Sequence, residues 1–584
     1  MTFFKSKYFI ICLVSLLLTG GALMGLSRQQ LRKDRTTYNH AVKVVNPAEI
    51  KPFVVVISSY NNAEYVERNL ESALSQVYSN YRVIFIDDAS TDDNYSLAKS
   101  VIDRLDANDR VTLIHNGSNR GAMANTVRAV NLCNNEEIVV MLDGDDTFIG
   151  PNVLTTLNQY YNHSDTWITY GRCIENTTGN FGFSKPISHL ILKAGSIKRK
   201  AWMVSHPFTF YAGLFKKIKL EDFSYKGKFL PTATDVAAML PMIEMARLHT
   251  FFINEPLYEY NLENPKNDHK ISKEKQEFYN QYVRHLRRYQ ALSTPPWETH
   301  MNEESDVTDI IAFSWNRPLQ VYAMLESLYE KGKNFGQVFV IYRSSNSEFD
   351  KGYNEVMKKF PRVQFVRQDD ALARQVFKPL VMKYTFDESI SKAKYIAYST
   401  DDLVLREELD FAVGVKALQD FKASGFFYRL GKNIDHCYMY NNLHTPVPHL
   451  MPLDNDIYAW QFKNGTGDWD YPHSVDFTLY SKEFIKPHLE SFHFTYPNDF
   501  EAVWAQKADH DRLGLCHSSS KIINMPLNVI SNKTNRGMRV DEYKPEALLY
   551  KFNQGLKMDR KPLETITPNA PHMDYHPTFV MRMD

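Results

Sequence analysis

Apolar runs and helical stretches alternate along the first half of the chain. Residues 53–57 form a continuous apolar run, followed by Val66, Leu70, Leu74 and Val77 at helical spacing and by a second run at 83–86. The alternation continues through Leu97, Val101, Ile102 and Leu105, a run at 111–114, a helix from Ala122 and a run at 138–142. Short continuous apolar runs separated by amphipathic helices predict βαβ units, and hence an α/β fold whose parallel sheet is covered on both faces. Ligands of such sheets bind beyond the carboxyl ends of the strands, so the polar residues there carry the functional signal. They are Ser58, Ser59, Tyr60 and Asn61 after the first run, Asp87 and Asp88 after the second, and Asp143, Asp145 and Asp146 after the last.

Composition narrows the partners more than the fold. The 584 residues allow two to four domains at roughly 100 to 200 residues each. Lys plus Arg and Asp plus Glu both total 68, so the chain lacks the basic field on which non-specific nucleic-acid binders rely, and no nucleic-acid partner is expected. Five cysteines without a CxxC spacing indicate neither a zinc module nor a disulfide scaffold. Residues 8–26 are uncharged, long enough at about 28 Å to cross a bilayer core once, and flanked by lysines and arginines. They predict a single-pass membrane anchor within residues 1–28, followed by a polar stem at 29–51. A cleaved signal peptide is the alternative, because Gly20, Gly21 and Ala22 are small enough for a cleavage site. The larger basic cluster follows the segment, which favours a cytoplasmic body and leaves a lumenal one open.

Three carboxylates within four residues at a strand exit repel one another, and a divalent cation makes that arrangement favourable. Oxygen-only ligands select Mg²⁺ or Mn²⁺. An isolated DGDD reads more simply as an acidic turn, but here it closes a βαβ series whose other strand exits converge on the same crevice. The segments VVVISSYNNAEYVERNLESALSQVYSNYRVIFIDDASTDD, NRGAMANTVRAV and EEIVVMLDGDDTF resemble the nucleotide-sugar half of family 2 glycosyltransferases, over about residues 52–265. The resemblance implies a GT-A fold, a UDP-type nucleotide-sugar donor, a divalent metal and transfer with inversion. It also implies that Ser58, Tyr60 and Asp88 or Asp87 hold the nucleoside, with Arg120 near the diphosphate. Asp143 would lie near the ribose or the metal, Asp145 on the metal, and Asp146 near the sugar.

An acceptor hydroxyl becomes a good nucleophile only as its proton is removed, so a base is required downstream. Asp235, opening the apolar helical run in FLPTATDVAAMLPMIEMA, stands where the family carries its catalytic aspartate. Helix capping, shared with Thr234, is its structural alternative. Glu244 reads as structural or as a distant acceptor contact. His269 is a third metal-ligand candidate or a solvent histidine, and Trp202 and His206 are acceptor candidates or core residues.

Charged, proline-containing sequence at 293–305 predicts a linker between a first unit, 52–292, and a second, 306–584. The second unit repeats the first. Ser59-Tyr60-Asn61 is echoed by Ser314-Trp315-Asn316, Leu70-Glu71-Ser72 by Leu325-Glu326-Ser327 and Val83 by Val338, each 255 residues on. Asp145-Asp146 is echoed by Asp401-Asp402. A second GT-A-like unit is therefore expected. It departs from the pattern where Tyr342-Arg343 aligns with Asp87-Asp88 and where Ser399 replaces the first aspartate. Asp401, Asp402, Asp476 and Glu501 remain candidates for metal and base, and Trp460, Trp469 and Trp504 for sugar platforms. The expected activity is hexosyl transfer to a glycan or glycoconjugate hydroxyl, at one or two sites. The rival is a membrane-tethered glycan-binding protein with two inactive units.

Overall fold

The computed structural model describes residues 49–162, 165–265, 270, 273–297, 306–369, 371–453, 456–528 and 538–582. The expected anchor and His269 lie outside them. Among the described residues no helix is long and apolar enough to cross a membrane.

The four apolar runs become parallel strands: β1 (Phe53–Ser59), β2 (Tyr81–Asp87), β3 (Val111–His115) and β4 (Ile138–Asp143). They alternate with α1 (Val66–Leu74), α2 (Asn94–Arg104) and α3 (Ala122–Asn131). Val54, Val55, Val56, Ile84, Phe85, Val139 and Val140 are fully buried, because helices cover both faces of the sheet. Helix α1 stops one turn short of expectation, and Val77 lies beyond it, 67% exposed. After β4 the chain adds β5 (Thr147–Phe148), β6 (Ile168–Glu175), β7 (Phe208–Tyr211), helix α4 (Thr234–Ala246) and β8 (Thr250–Tyr260). The sheet order is β3-β2-β1-β4-β7-β6-β8-β5, with β7 antiparallel to both β4 and β6.

The second half builds a sheet from β9 (Thr308–Trp315), β10 (Phe335–Arg343), β11 (Gln364–Arg367), β12 (Tyr395–Thr400) and strands further on. These are β14 (Gly425–Phe427), β15 (Met451–Pro452), β16 (Ile457–Gln461), β17 (Thr478–Ser481) and β18 (Leu513–His517), while β13 (Leu403–Leu405) pairs with β19 (Ile522–Asn524) outside it. Its order, β11-β10-β9-β12-β17-β14-β18-β16-β15, repeats the first seven positions of the first sheet with the same relative directions. The duplication therefore holds in topology and not only in scattered identities. It extends to backbone detail: Asn61 and Asn316 both take the left-handed conformation, at φ 53° and 56°. Each side-chain carbonyl accepts a backbone N–H from the loop after the neighbouring strand, that of Thr91 at 2.7 Å and that of Ser345 at 2.9 Å. Register corrects one expected equivalence. Ser58 pairs with Asp143 and Phe313 with Thr400, so Thr400, not Ser399, replaces the first aspartate.

One hydrophobic core runs through both halves, from Val54 and Phe208 to Phe426 and Leu515. Trp297 packs edge-on against Trp167 and over Tyr211, so the expected linker begins as part of the first unit. Trp460, Trp469 and Trp504 are at most 1% exposed, which overturns their reading as sugar platforms. Trp460 donates its indole N–H to the Trp469 carbonyl at 2.8 Å and Trp469 to that of Ile434 at 3.0 Å. Large apolar area with its single polar group satisfied by backbone belongs in a core.

Trp460→Ala should lower the stability of the second unit by about 3–5 kcal/mol. A urea melt of the full chain followed by far-ultraviolet circular dichroism measures it, and a loss below about 1 kcal/mol would contradict this packing.

Candidate functional site

The acidic turn leaves β4 under tight geometric control. A Cβ on Gly144 would lie 2.6 Å from the Ser59 hydroxyl oxygen, so only glycine allows the turn to close over the end of β1. Asn69, fully buried on α1, donates to the carbonyls of Asp143 and Asp146, each at 2.8 Å. Asp146 is 1% exposed, and its carboxylate accepts from the Tyr258 hydroxyl and the Asn261 N–H, both at 2.7 Å. Asp145 accepts from Asn264 Nδ2 at 2.7 Å, and Asp143 is half exposed. Burial, followed by the charge of Asp143, pushes the carboxyls of Asp145 and Asp146 above the ordinary carboxylate range. The donors that reach those two side chains are neutral. Arg68, which donates to the Asp145 carbonyl at 3.1 Å, offsets the repulsion only in part.

Two further predicted residues join this turn from distant elements. His206, just before β7, places Nε2 3.6 Å from Asp143 Oδ2 and stacks on Tyr258 with ring centroids 4.7 Å apart. Burial pushes its pKa down to about 4 against the opposing charges of Asp235 and Asp145, so the imidazole is neutral at pH 7. Asp235 lies in the first turn of α4, where burial raises its carboxyl, with Asp143 adding to the rise and His206 opposing it. The capping alternative fails, because the cap position is Ala233 and no side chain bonds there. Ala233 is itself left-handed at φ 57°, an unfavourable conformation for a residue with a Cβ, held beside the site.

Among the described residues, no three His, Cys, Asp or Glu side chains form a ready-made metal cluster. Asp143 and Asp145 nevertheless fit a hard divalent ion, which binds one or two carboxylates and completes its shell with water and substrate phosphate oxygens. The concentrated charge on this turn is what such an ion would relieve.

The nucleoside candidates divide. Tyr60 is 43% exposed, and Ser58 accepts from Asn125 Nδ2 at 3.1 Å. Asp87 and Asp88 face inward instead. Asp87 is bonded to Asn94 at 2.6 Å, His115 at 2.8 Å and the Ser90 N–H at 3.2 Å. Burial raises its pKa, but these bonds outweigh it and hold the group below the ordinary range. Asp88 accepts the N–H groups of Arg120 and Gly121, each at 2.8 Å, and so shapes the entry to α3. Arg120 sends Nη1 to the Leu453 carbonyl in the second half at 2.9 Å, which ties the loop expected at the diphosphate to the other unit. Trp202 packs half-buried on the main core. Glu244 is fully buried with Lys198 at 3.3 Å and is structural.

In the second half the candidate carboxylates fall into two groups. Asp401 and Asp402 share the guanidinium of Arg317, at 2.8 and 3.2 Å. Asp476 accepts from Asn524 at 3.1 Å and Thr400 at 3.3 Å and lies 3.1 Å from His572 Nε2. Burial alone would lower the pKa of His572, but the Asp476 charge and hydrogen bond raise it to about 9. Glu501, pushed up to about 7 by burial and then by Asp476, accepts the Val475 N–H at 3.0 Å. Sequence reasoning missed Asn69, Tyr258, Asn264, Arg317 and His572. Only Asn69 carried a local signal, as a polar residue beside Val66 and Leu70 on the apolar face of α1.

Residues 54–224 match the family model described as Glycosyl transferase family 2. The bifunctional glycosyltransferase pgtA of Dictyostelium discoideum is 25% identical over 187 residues, 29% of this chain and 23% of that protein. Glycosyltransferase GlyG of Streptococcus pneumoniae is 26% identical over 214 residues, 35% of this chain and 69% of that one. A UDP-Glc:alpha-D-GlcNAc-diphosphoundecaprenol beta-1,3-glucosyltransferase, WfaP of Escherichia coli, is 28% identical over 120 residues, 20% of this chain and 45% of that one. The chain thus spans under a quarter of the first of these relatives. Among solved structures, the mannosyltransferase PcManGT of Pyrobaculum calidifontis in complex with GDP-Man and Mn²⁺ covers 47% of this chain and 77% of its own, at 18% identity and TM-score 0.29. TarS 1–349 of S. aureus in complex with UDP-GlcNAc covers 38% and 61%, at 17% identity and TM-score 0.29.

The His572–Asp476 pair makes stability pH-dependent. The folded pKa of about 9 exceeds the ordinary 6.5, so the contribution is complete below pH 6.5 and is lost as pH rises through 9. The loss is on the order of 3 kcal/mol. Urea midpoints at pH 6 and 9.5 should differ in the wild type more than in His572→Gln, and equal differences would refute the pairing.

Proposed function

We propose, from the premise that the N-terminal half carries a domain of glycosyl transferase family 2, that the chain transfers a sugar from a UDP-type nucleotide-sugar donor to a hydroxyl of a glycan or glycoconjugate, with inversion. The observation that carries this reading is the mutual electrostatic influence of Asp143, Asp145, His206 and Asp235, drawn from three separate elements to the carboxyl edge of one sheet. The E. coli relative, whose name specifies UDP-Glc, supports the UDP type.

The chemistry follows from the placement of the groups. Mn²⁺ or Mg²⁺ held by Asp143 and Asp145 would neutralise the negative charge that grows on the departing diphosphate. Asp235 takes the acceptor's proton, and a carboxyl raised above the ordinary range is a stronger base than an exposed one. The acceptor oxygen bonds to the anomeric carbon as the carbon–oxygen bond to the diphosphate breaks, and one such displacement inverts the centre. Neutral His206 offers a ring nitrogen that orients a sugar hydroxyl without adding charge. Ser58 and exposed Tyr60 line the nucleoside side, while Asp87 and Asp88 hold the loops around it. The apolar segment at residues 8–26 would tether this body to a membrane as a single pass.

Release of nucleoside diphosphate from a panel of sugar nucleotides, with and without Mn²⁺, tests the activity directly. Asp235→Asn should keep UDP binding and lower kcat by about 10²–10⁴-fold. Asp145→Asn should lose metal-dependent UDP binding, and normal turnover in Asp235→Asn would remove it as the base. Because the Asp235 pKa is raised, the acid limb of kcat/KM should lie above pH ~4. A profile flat down to pH 4 would count against the assignment.

A further inference from the structure

The two units handle the negative charge of their acidic turns differently. In the first, the residue after left-handed Asn61 is Asn62, whose Oδ1 lies 3.4 Å from Asn264 Nδ2. In the second, the residue after left-handed Asn316 is Arg317. Its Nη1 donates to Asp401 at 2.8 Å and Asp402 at 3.2 Å, and its Nε and Nη2 donate to the Asn528 side chain at 2.9 Å and carbonyl at 2.6 Å. Asp401 also accepts from the Ser314 hydroxyl at 2.7 Å, which itself bonds Tyr353 at 2.6 Å.

Four of the five guanidinium N–H groups are therefore fixed inside the fold. A phosphate-binding arm would keep a fork of donors open, and this arginine does not. Thr400 ends β12 where Asp143 ends β4, so the first carboxylate of the metal turn is replaced by a neutral hydroxyl. The two carboxylates that remain already share a cation whose side chain is 13% exposed. The recess beside them, lined by Gln320, Leu403, Met525 and Met558, has no room for a water molecule.

We propose that Arg317 stands permanently in the place of the divalent ion: the second unit binds no metal at its acidic turn, and the chain has one metal-dependent centre, in the first unit. An incoming ion would have to displace the guanidinium and leave it buried without its partners, a cost that a dissociable ion does not recover. The count of one centre rests on the reading of Asp143 and Asp145 as ion holders; the exclusion at Asp401 and Asp402 does not.

The test counts Mn²⁺ on the full chain, through the electron paramagnetic resonance of the free ion, with and without UDP. One Mn²⁺ per chain is expected in the wild type and none in Asp145→Asn. No Mn²⁺ in the wild type would remove the ion from the first unit and leave the second-unit exclusion standing. A Mn²⁺ that survives Asp145→Asn and disappears in Asp402→Asn would overturn the proposal. Added to Asp145→Asn, Arg317→Gln should gain a Mn²⁺-dependent rise in melting temperature that Asp145→Asn alone lacks. A folded double variant without that rise would show that Arg317 is not what excludes the ion.

Discussion

Negative charge gathered at the carboxyl edge of a parallel sheet is the constraint around which both halves of this protein are arranged. Strand exits collect polar side chains because sheet and helices consume the apolar ones, and here those side chains are aspartates. Carboxylates brought together in a partly dry crevice raise one another's pKa, and the fold must either leave that repulsion for a ligand to relieve or relieve it internally. Among the described residues, the first unit meets the carboxylates of Asp145 and Asp146 with neutral donors, Asn264 on the one and Tyr258 and the Asn261 N–H on the other, and holds the carbonyls of the turn with Asn69 and Arg68. The second supplies a guanidinium.

That difference arises at one position of a shared loop. The left-handed asparagine and its bond to the neighbouring loop are retained in both units, so the next residue leaves from an equivalent backbone position. Asparagine there adds no charge, whereas arginine places a guanidinium between two carboxylates. A topology shared over seven strands can thus hold two different electrostatic states, because packing fixes the backbone and leaves a side chain at the sheet edge to set the charge.

The first site also depends on the second unit mechanically. Asp88 fixes the backbone of Arg120, and the Arg120 side chain reaches the Leu453 carbonyl across the junction between the halves. A partly buried contact between Arg512 and Glu221, 3.4 Å apart, and a core continuous through both halves reinforce the same junction. The loop that opens α3 is therefore positioned by residues more than 300 apart in sequence. The second unit thus contributes to the positioning of a loop in the first.

Apolar periodicity determined the βαβ order, the carboxyl-edge location of the site and the acidic turn, because those features follow from local side-chain alternation and from residues adjacent in the chain. It also exposed the repeat, which the sheet order bears out. Tertiary structure alone decided which polar groups face the crevice. Asp87 and Asp88 turned inward, Arg120 crossed to the other unit, and the three tryptophans went to the core, since each outcome depends on partners far off in sequence. The placing of His206 beside Asp143, and of Arg317 between Asp401 and Asp402, has the same origin: a charge is balanced by whatever the fold brings within a few ångströms, and sequence separation carries no information about that distance.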